Sequence, residues 1–367
     1  MKYRLEELCE FITDGTHQTP EYCDKDGIIF LSSKDVTERK IDWDNVKYIP
    51  QHLHEKLHKR LSPQKNDILL AKNGTTGVAA LVDKDEVFDV YVSLAVLRPK
   101  DIIYPKYLLY AVNSPVAKRQ FDEGLKGIGV PNLHLSVIRK TEINVAEYNK
   151  QVDICNLLDK VTYIIDNRKQ QLQQLDDLVK ARFVEMFGDI KTGDYKFETR
   201  KLGEVAAVGS SHRVFTTEFV EEGIPFYRGT EIGELSNGIK PINPYRITKE
   251  HYDRLASDET KPKIGDLLMP SICNKGKVWM VDTDEPFYYK DGRVLCISPN
   301  RNLFNCKYLE QFMREKTLVE YPKLGSGSTF AEFKIFLLKD IDVLIPPIEL
   351  QNRFASFVEQ IDKSKFI

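Results

Sequence analysis

No apolar run in this chain approaches about 18 residues, so nothing in it reads as a membrane span. The opening Met1-Lys2-Tyr3-Arg4-Leu5-Glu6-Glu7 has no apolar stretch of the kind a secretory leader needs. Cysteine is sparse, and Cys9, Cys23, Cys155, Cys273, Cys296 and Cys306 stand apart without one C-x-x-C pair. That predicts reduced thiols in a cytoplasmic protein, without disulfides or a structural zinc cluster. An excess of positive charge is also missing. The net charge is −2, which excludes a strongly basic nucleic-acid binder but leaves room for local basic faces. Finally, neither Gly nor Pro occurs between Gln151 and Phe187.

That last absence marks the stretch around which the chain is organised. Ile154, Leu158, Val161, Ile165, Arg168, Leu172, Leu175 and Val179 follow one another in alternating steps of four and three. Leu157, Ile164, Gln171 and Leu178 form a second row beside them. The spacing predicts a long helix over 148–188 with a narrow apolar seam. At 1.5 Å per residue it spans roughly 55 Å. Such a seam needs a partner helix.

The flanks of this helix match each other at an offset of about 200. Gly27-Ile28-Ile29-Phe30-Leu31 answers Gly223-Ile224-Pro225-Phe226-Tyr227. Lys65-Asn66-Asp67-Ile68-Leu69-Leu70 answers Ile264-Gly265-Asp266-Leu267-Leu268-Met269. Tyr104-Pro105-Lys106-Tyr107-Leu108 answers Asn305-Cys306-Lys307-Tyr308-Leu309, and Gln151 answers Gln351. A duplicated unit of about 195 residues is the economical explanation. Each copy opens with short β-branched runs, continues through a short helix and a Gly-rich loop, and closes on a seam helix. The second seam helix starts at Pro346-Pro347 and carries Phe354, Val358 and Ile361. The expected fold is α+β: two repeated, mixed, strand-rich domains (1–147 and 189–345) separated by a long spacer helix (148–188) and followed by a short one (346–367).

This order of elements resembles the specificity subunit of type I restriction–modification systems. The resemblance rests on Asp14-Gly15-Thr16-His17, Phe30-Leu31-Ser32-Ser33-Lys34-Asp35-Val36 and Asn73-Gly74-Thr75-Thr76-Gly77. It rests also on Val130-Pro131-Asn132-Leu133 and on Pro346-Pro347-Ile348-Glu349-Leu350-Gln351. It implies two target recognition domains, each reading one half of a bipartite, asymmetric site in double-stranded DNA. It implies an antiparallel coiled coil that sets the gap between the half-sites. Ile154, Leu158, Val161, Ile165, Leu172, Leu175 and Val179 would face Phe354, Val358 and Ile361 across it. Methyltransferase subunits would dock on the helices and bring S-adenosylmethionine, and a restriction subunit could join them. The chain itself would hold no catalytic residue, no metal and no cofactor. Pairing only over the shorter helix would leave Leu172, Leu175 and Val179 for another surface, either a second copy of the chain or a methyltransferase.

The candidate DNA contacts lie in polar turns. Lys72, Asn73, Thr75 and Thr76 follow a strand, and Asn274, Lys275 and Lys277 hold the same place in the second copy. Such turns offer amide, hydroxyl and ammonium donors to phosphate and base edges. The plainer reading is a hairpin turn. Ser32, Ser33 and Lys34 are answered by Arg228, and Lys126, Asn132 and His134 by Ser326 and Ser328. Arg213 is a further candidate. His54-Glu55-Lys56-Leu57-His58 is a literal H-E-x-x-H, which on a helix presents two imidazoles and a base to zinc. Against a hydrolase, Leu61 stands where a metzincin has Gly, and the second copy lacks the pair. Asn243-Pro244-Tyr245 and Glu332-Phe333-Lys334 are fragments of methyltransferase and nuclease motifs without their companions. A metal hydrolase and a helical dimerisation module that ignores DNA are the competing readings.

Overall fold

The computed structural model describes residues 1–125, 132–256, 260–324 and 331–365. The chain divides into two compact units, Met1–Asn167 and Arg168–Ile367.

The first unit is built on seven strands: β1 (Cys9–Asp14), β2 (Ile28–Leu31), β3 (Lys47–Ile49), β4 (Ile68–Ala71), β5 (Ala79–Leu81), β6 (Phe88–Val90) and β7 (Leu94–Pro99). Four of them make an antiparallel sheet in the order β1-β7-β4-β5. The other three pair as β3-β2-β6, with β2 and β6 parallel. Side chains alternate across a strand, so β4 feeds two cores at once. Ile68 and Leu70 join Ile12, Ala95 and Leu97 on one face. Leu69 and Ala71 join Ala80, Leu94 and Val96 on the other. A sheet covered on both sides explains why these strands read as unbroken apolar runs rather than alternating ones. Helix α1 (Gln51–His58) packs on the three-stranded side, and the unit closes on the first half of the 40-residue helix α2 (Tyr148–Phe187), whose second half belongs to the second unit.

The second unit repeats this plan. Its strands are β8 (Ala206–Ser210), β9 (Ile224–Tyr227), β10 (Tyr245–Ile247), β11 (Leu267–Pro270), β12 (Trp279–Met280), β13 (Tyr288–Tyr289) and β14 (Val294–Pro299). They pair as β8-β14-β11-β12 and β10-β9-β13, strand for strand the order of the first unit. Helix α3 (Lys249–Leu255) answers α1, and helices α4 (Cys306–Glu320) and α5 (Ile348–Ser364) follow.

Polar detail repeats too. The side chain of Gln151 accepts a hydrogen bond from the Tyr104 N–H at 2.8 Å and donates to the carbonyls of Ala146 and Ile102 at 2.9 and 3.3 Å. Gln351 accepts from the Asn305 N–H at 3.0 Å and donates to the carbonyls of Pro346 and Leu303 at 2.8 and 2.9 Å. Both glutamines are fully buried. Asp67 and Asp266, buried at the foot of the same strand in each copy, are both paired with arginine. Asp67 meets Arg98 in a two-point contact at 2.8 and 2.9 Å, whereas Asp266 meets Arg301 from a different place in the fold. Each copy is closed by a ribbon that joins an early strand to its last, Lys2–Arg4 with Glu142–Asn144 and Thr199–Lys201 with Asp342–Leu344.

The seam of α2 is used differently from the expectation. Val179, Phe183 and Phe187 are its buried apolar residues in the second unit, packed with Phe354 and Val358 of α5. The Phe354 ring lies 5.5 Å from Phe183 and 5.4 Å from Phe187. At the other end of α5, Lys365 reaches Asp176 at 2.8 Å, and its carbonyl accepts from Arg168 at 2.9 Å. The two helices therefore run antiparallel, and the pairing falls on the distal half of α2. Val179 has its partner within the chain. Ile154, Val161 and Ile165 are exposed, as are Leu157 and Ile164. The reason is geometric: α5 starts beside the far end of α2, runs for 17 residues, and comes alongside only as far as Arg168. The near half of α2 is held in the first unit by polar contacts instead. Asp159 accepts from Lys106 at 2.7 Å and from Tyr110 at 2.6 Å.

Replacing Gln351 with Ala strands the Asn305 N–H and two carbonyls in a dry place. It should lower the stability of the second unit by about 3 kcal/mol in urea unfolding. A loss under about 1 kcal/mol would mean that water replaces the side chain without penalty.

Candidate nucleic-acid interface

Strand ends and loops of the first unit converge at one edge of the four-stranded sheet. The turn after β1 brings Asp14 and His17, the turn after β4 brings Lys72 and Asn73, and the segment after the undescribed residues 126–131 brings Asn132 and His134. Together they line a cavity of about 450 Å³. The sequence places these residues far apart, and the fold gathers them.

They do not all face outward. The Lys72 ammonium is buried and bonded to the Asp14 carboxylate at 2.5 Å. The Asp14 backbone carbonyl accepts from Arg60 at 2.7 Å. The backbone of Lys72 is held as well, donating to the Ser93 carbonyl and accepting from the Leu133 N–H. Lys72 is thus a strut between two loops. The Lys72 ammonium, expected as a DNA contact, is engaged by a buried carboxylate in this structure. Ser32, also expected as a DNA contact, has its N–H and hydroxyl both on the Asp35 carboxylate, at 2.6 and 2.9 Å, and caps a short turn. Ser33 receives Thr75 at its carbonyl and gives its N–H to Ser93. The Thr76 hydroxyl lies 3.5 Å from the carbonyls of Lys72 and Gly74. Lys34, Thr75 and His134 are exposed, and Asn73 is half-buried in the cavity wall. Among the described residues, the side-chain oxygen of Asn132 is buried without a hydrogen-bond partner. It is an acceptor waiting for a donor.

The second unit builds a different groove at the same edge. A cavity of about 540 Å³ lies between the start of the helix Gly229–Leu235, the turn after β11 and the start of β14. Arg228, Lys277, Lys290 and Arg293 are its cations. Arg228 is tied to Glu231 at 2.7 Å, a hydrogen bond that raises the guanidinium above its ordinary value, and it stacks over Tyr245 at 4.5 Å. Arg293 reaches Glu332 at 2.9 Å. Among the described residues, Lys277 and Lys290 make no ion pair. Arg213 is exposed beside Asp291 at 3.2 Å.

The turn after β11 is strained and braced. Cys273, Lys275 and Gly276 have φ of +50°, +47° and +76°. Asn274 between them is fully buried. Its side chain accepts from the Gly276 N–H and donates to the Pro270 and Lys277 carbonyls, all at 3.0–3.1 Å. Every polar atom of that amide is occupied, so Asn274 shapes the turn. Lys275 is pushed out to the surface by it. Lys126, Ser326 and Ser328 lie outside the described residues.

Sequence reasoning missed Lys290 and Arg293. They stand at strand ends, and only the pairing of β13 and β14 with their neighbours delivers them to the groove. The one available signal was Arg293 lying opposite Ser93 at the repeat offset.

The H-E-x-x-H segment does form a helix, but Glu55 is exposed and bonds only its own neighbour Gln51, at 3.4 Å. His54 and His58 turn instead to Asp89 of β6. The base that a hydrolase needs is therefore absent from the pair.

With this geometry in place, the likeness to known proteins is specific. The family described as type I restriction modification DNA specificity domain matches twice, over residues 1–177 and 195–367. The chain belongs to this family. The two matches cover the two copies of the repeat. The Haemophilus influenzae protein assigned as type I restriction enzyme specificity subunit S.HindORF215P is 27% identical over 163 residues, which is 44% of this chain and 39% of that protein. The MjaIX specificity subunit of Methanocaldococcus jannaschii is 22% identical over 284 residues, 72% of this chain and 63% of that one. The alignments thus span less than two thirds of either relative. A crystal structure of the type I restriction–modification S subunit from M. genitalium superposes over the whole chain and 90% of its own, with a TM-score of 0.55 at 16% identity. A second solved structure, of a type I system described for its assembly and conformational transition, gives 0.52 at 18% identity over 100% and 90% of the two chains. These likenesses carry the α+β fold. Neither the metal-hydrolase reading nor the DNA-independent module finds support in them.

Replacing Asn274 with Ala should cost the second unit about 2 kcal/mol, because the strained turn loses its brace. Thermal unfolding checks this. Replacing the adjacent Lys275 with Ala should change stability by less than about 0.5 kcal/mol.

Proposed function

We propose that this chain is the DNA-reading subunit of a type I restriction–modification complex and performs no chemistry itself. Each recognition unit reads one half of a bipartite site in double-stranded DNA. The observation that carries the reading is one frame used twice with two different grooves. The buried glutamines, the strand order and the closing ribbons repeat, while the groove residues do not. The first groove presents Asn73, Asn132 and His134 around a neutralised lysine. The second presents Lys277, Lys290 and Arg293. Amides suit adenine edges, and the cations suit guanine or phosphate. Two dissimilar half-sites follow from two dissimilar grooves.

The long helix α2, with α5 against its distal half, sets the distance between the half-sites. A helix of this length is comparable with about one and a half turns of B-DNA. Methyltransferase subunits dock on the helices and bring S-adenosylmethionine to the target adenine, so this chain needs no cofactor of its own. The exposed row Ile154, Leu157, Val161, Ile164 and Ile165 is the apolar surface open to such a partner or to a second copy of the chain. A restriction subunit completes the complex where cleavage is present. The described residues contain no helix long and apolar enough to cross a membrane, in keeping with a place in the cytoplasm beside DNA.

Genome-wide methylation calling tests this, in a host carrying the chain with its neighbouring methyltransferase against the same host without the chain. The expected result is a new motif of two unlike blocks around an unspecified gap. A single palindromic block, or no motif, would overturn the two-reader assignment. A finer test is the salt dependence of duplex binding by the assembled complex. Lys290→Ala should weaken binding and lower the slope of log K against log salt by about 1. An unchanged slope would remove Lys290 from the interface.

A further inference from the structure

Away from the grooves, the first unit holds a cluster that DNA reading does not use. His54 and His58 stand one turn apart on α1, so their imidazoles share a face. Across from them is Asp89, on the central strand pair β2–β6 and only 2% exposed. His54 Nδ1 lies 2.7 Å from one carboxylate oxygen, and His58 Nδ1 lies 3.4 Å from the other. The three donor atoms fall within 4.8 Å of one another. The second contact is an ion pair that is not aligned as a hydrogen bond. It leaves His58 Nδ1 and the facing Asp89 oxygen both buried and, among the described residues, without an aligned hydrogen-bond partner. No lysine or arginine pairs with Asp89 among the described residues.

The fold does not require this arrangement. In the second unit the matching helix α3 carries Tyr252 four residues after its cap, as His54 follows Pro50. The strand position paired with Phe226 is Tyr288, as Asp89 is paired with Phe30. Tyr252 and Tyr288 fill the space with a T-shaped ring contact at 6.4 Å. Where one copy joins helix to strand with two aromatic rings, the other does so with two imidazoles and a carboxylate. A buried carboxylate beside two half-satisfied imidazoles is a poor substitute for ring packing, unless something ties the three together.

We propose that His54, His58 and Asp89 bind a divalent transition metal, zinc by preference, which clamps α1 onto β6. Two imidazoles and one carboxylate are a zinc donor set, with the fourth position left to water. Donors about 2.0–2.2 Å from one ion stand roughly 3–3.5 Å apart, close to the separations found here. Turning His54 out of its direct contact with Asp89 opens that space. The role is structural, since Glu55 faces solvent and no base addresses the water. Two residues past α1, Arg60 holds the Asp14 carbonyl, so the clamp steadies the helix that supports the first groove.

The test uses the untagged full chain, stripped with chelator, reloaded with zinc and desalted. The expected retention is about one zinc per chain. It should be lost in His58→Ala, a side chain 32% exposed, whose removal leaves the fold intact by circular dichroism. Zinc should raise the first unfolding transition of the native chain by about 5 °C and leave that of His58→Ala unmoved. Cobalt in place of zinc should give a spectrum of nitrogen and oxygen ligation without a thiolate band. Asp89→Asn, which keeps the shape and removes the charge, should weaken retention at least tenfold. Native chain that keeps no more zinc than His58→Ala would overturn the proposal. Zinc retained equally by both, or a thiolate band, would place the metal on cysteine and overturn it too.

Discussion

Each long helix is fastened to its recognition fold by one buried glutamine. The amide of Gln151, like that of Gln351, joins three backbone groups that belong to the strand-to-helix loop and to the helix start. A glutamine offers one acceptor and two donors, and here all are used in a buried site. This fixes where each helix begins and in which direction it leaves. A shift at this amide would move the pairing surface of a helix 40 residues long.

Much of the fold was legible in the sequence for a simple physical reason. A sheet buried on both faces needs unbroken apolar strands, and duplicated strands kept their order and spacing. The repeat in turn carried the family resemblance. The seam was legible only as a face. Heptad spacing says which side of a helix is apolar, not which part of it meets a partner. The row was read to Val179, yet Phe183 and Phe187 continue it in steps of four and are its deepest members. Their size was the missed signal, since aromatic rings at the end of a seam bury more area than the aliphatic residues before them.

The grooves were legible as places and not as contacts. The turns after β4 and β11 were singled out for their polar residues, and both are shaped loops that line the cavities. A polar residue in such a turn has two uses, holding the loop or facing its ligand, and composition cannot separate them. Lys72 holds because Asp14 lies opposite, 58 residues away in the chain. Asn274 holds because its own turn bends through left-handed backbone. Lys290 and Arg293 face the groove because strand pairing delivers them there, and no local pattern announces that.

The closing ribbons have a consequence in time. The first strand of the chain, Lys2–Arg4, has no partner until Glu142–Asn144 has been made, and the Met1 amino group rests on the Val145 carbonyl at 2.9 Å. At about 5–20 residues per second, a ribosome takes on the order of ten seconds to supply that partner. Through that interval the unit carries an open strand edge, the kind of edge that pairs with strangers. Its own charges blunt the hazard: Lys2 and Arg4 stand on that short strand, and Lys2 meets the carboxylate of Glu142 only when the ribbon shuts.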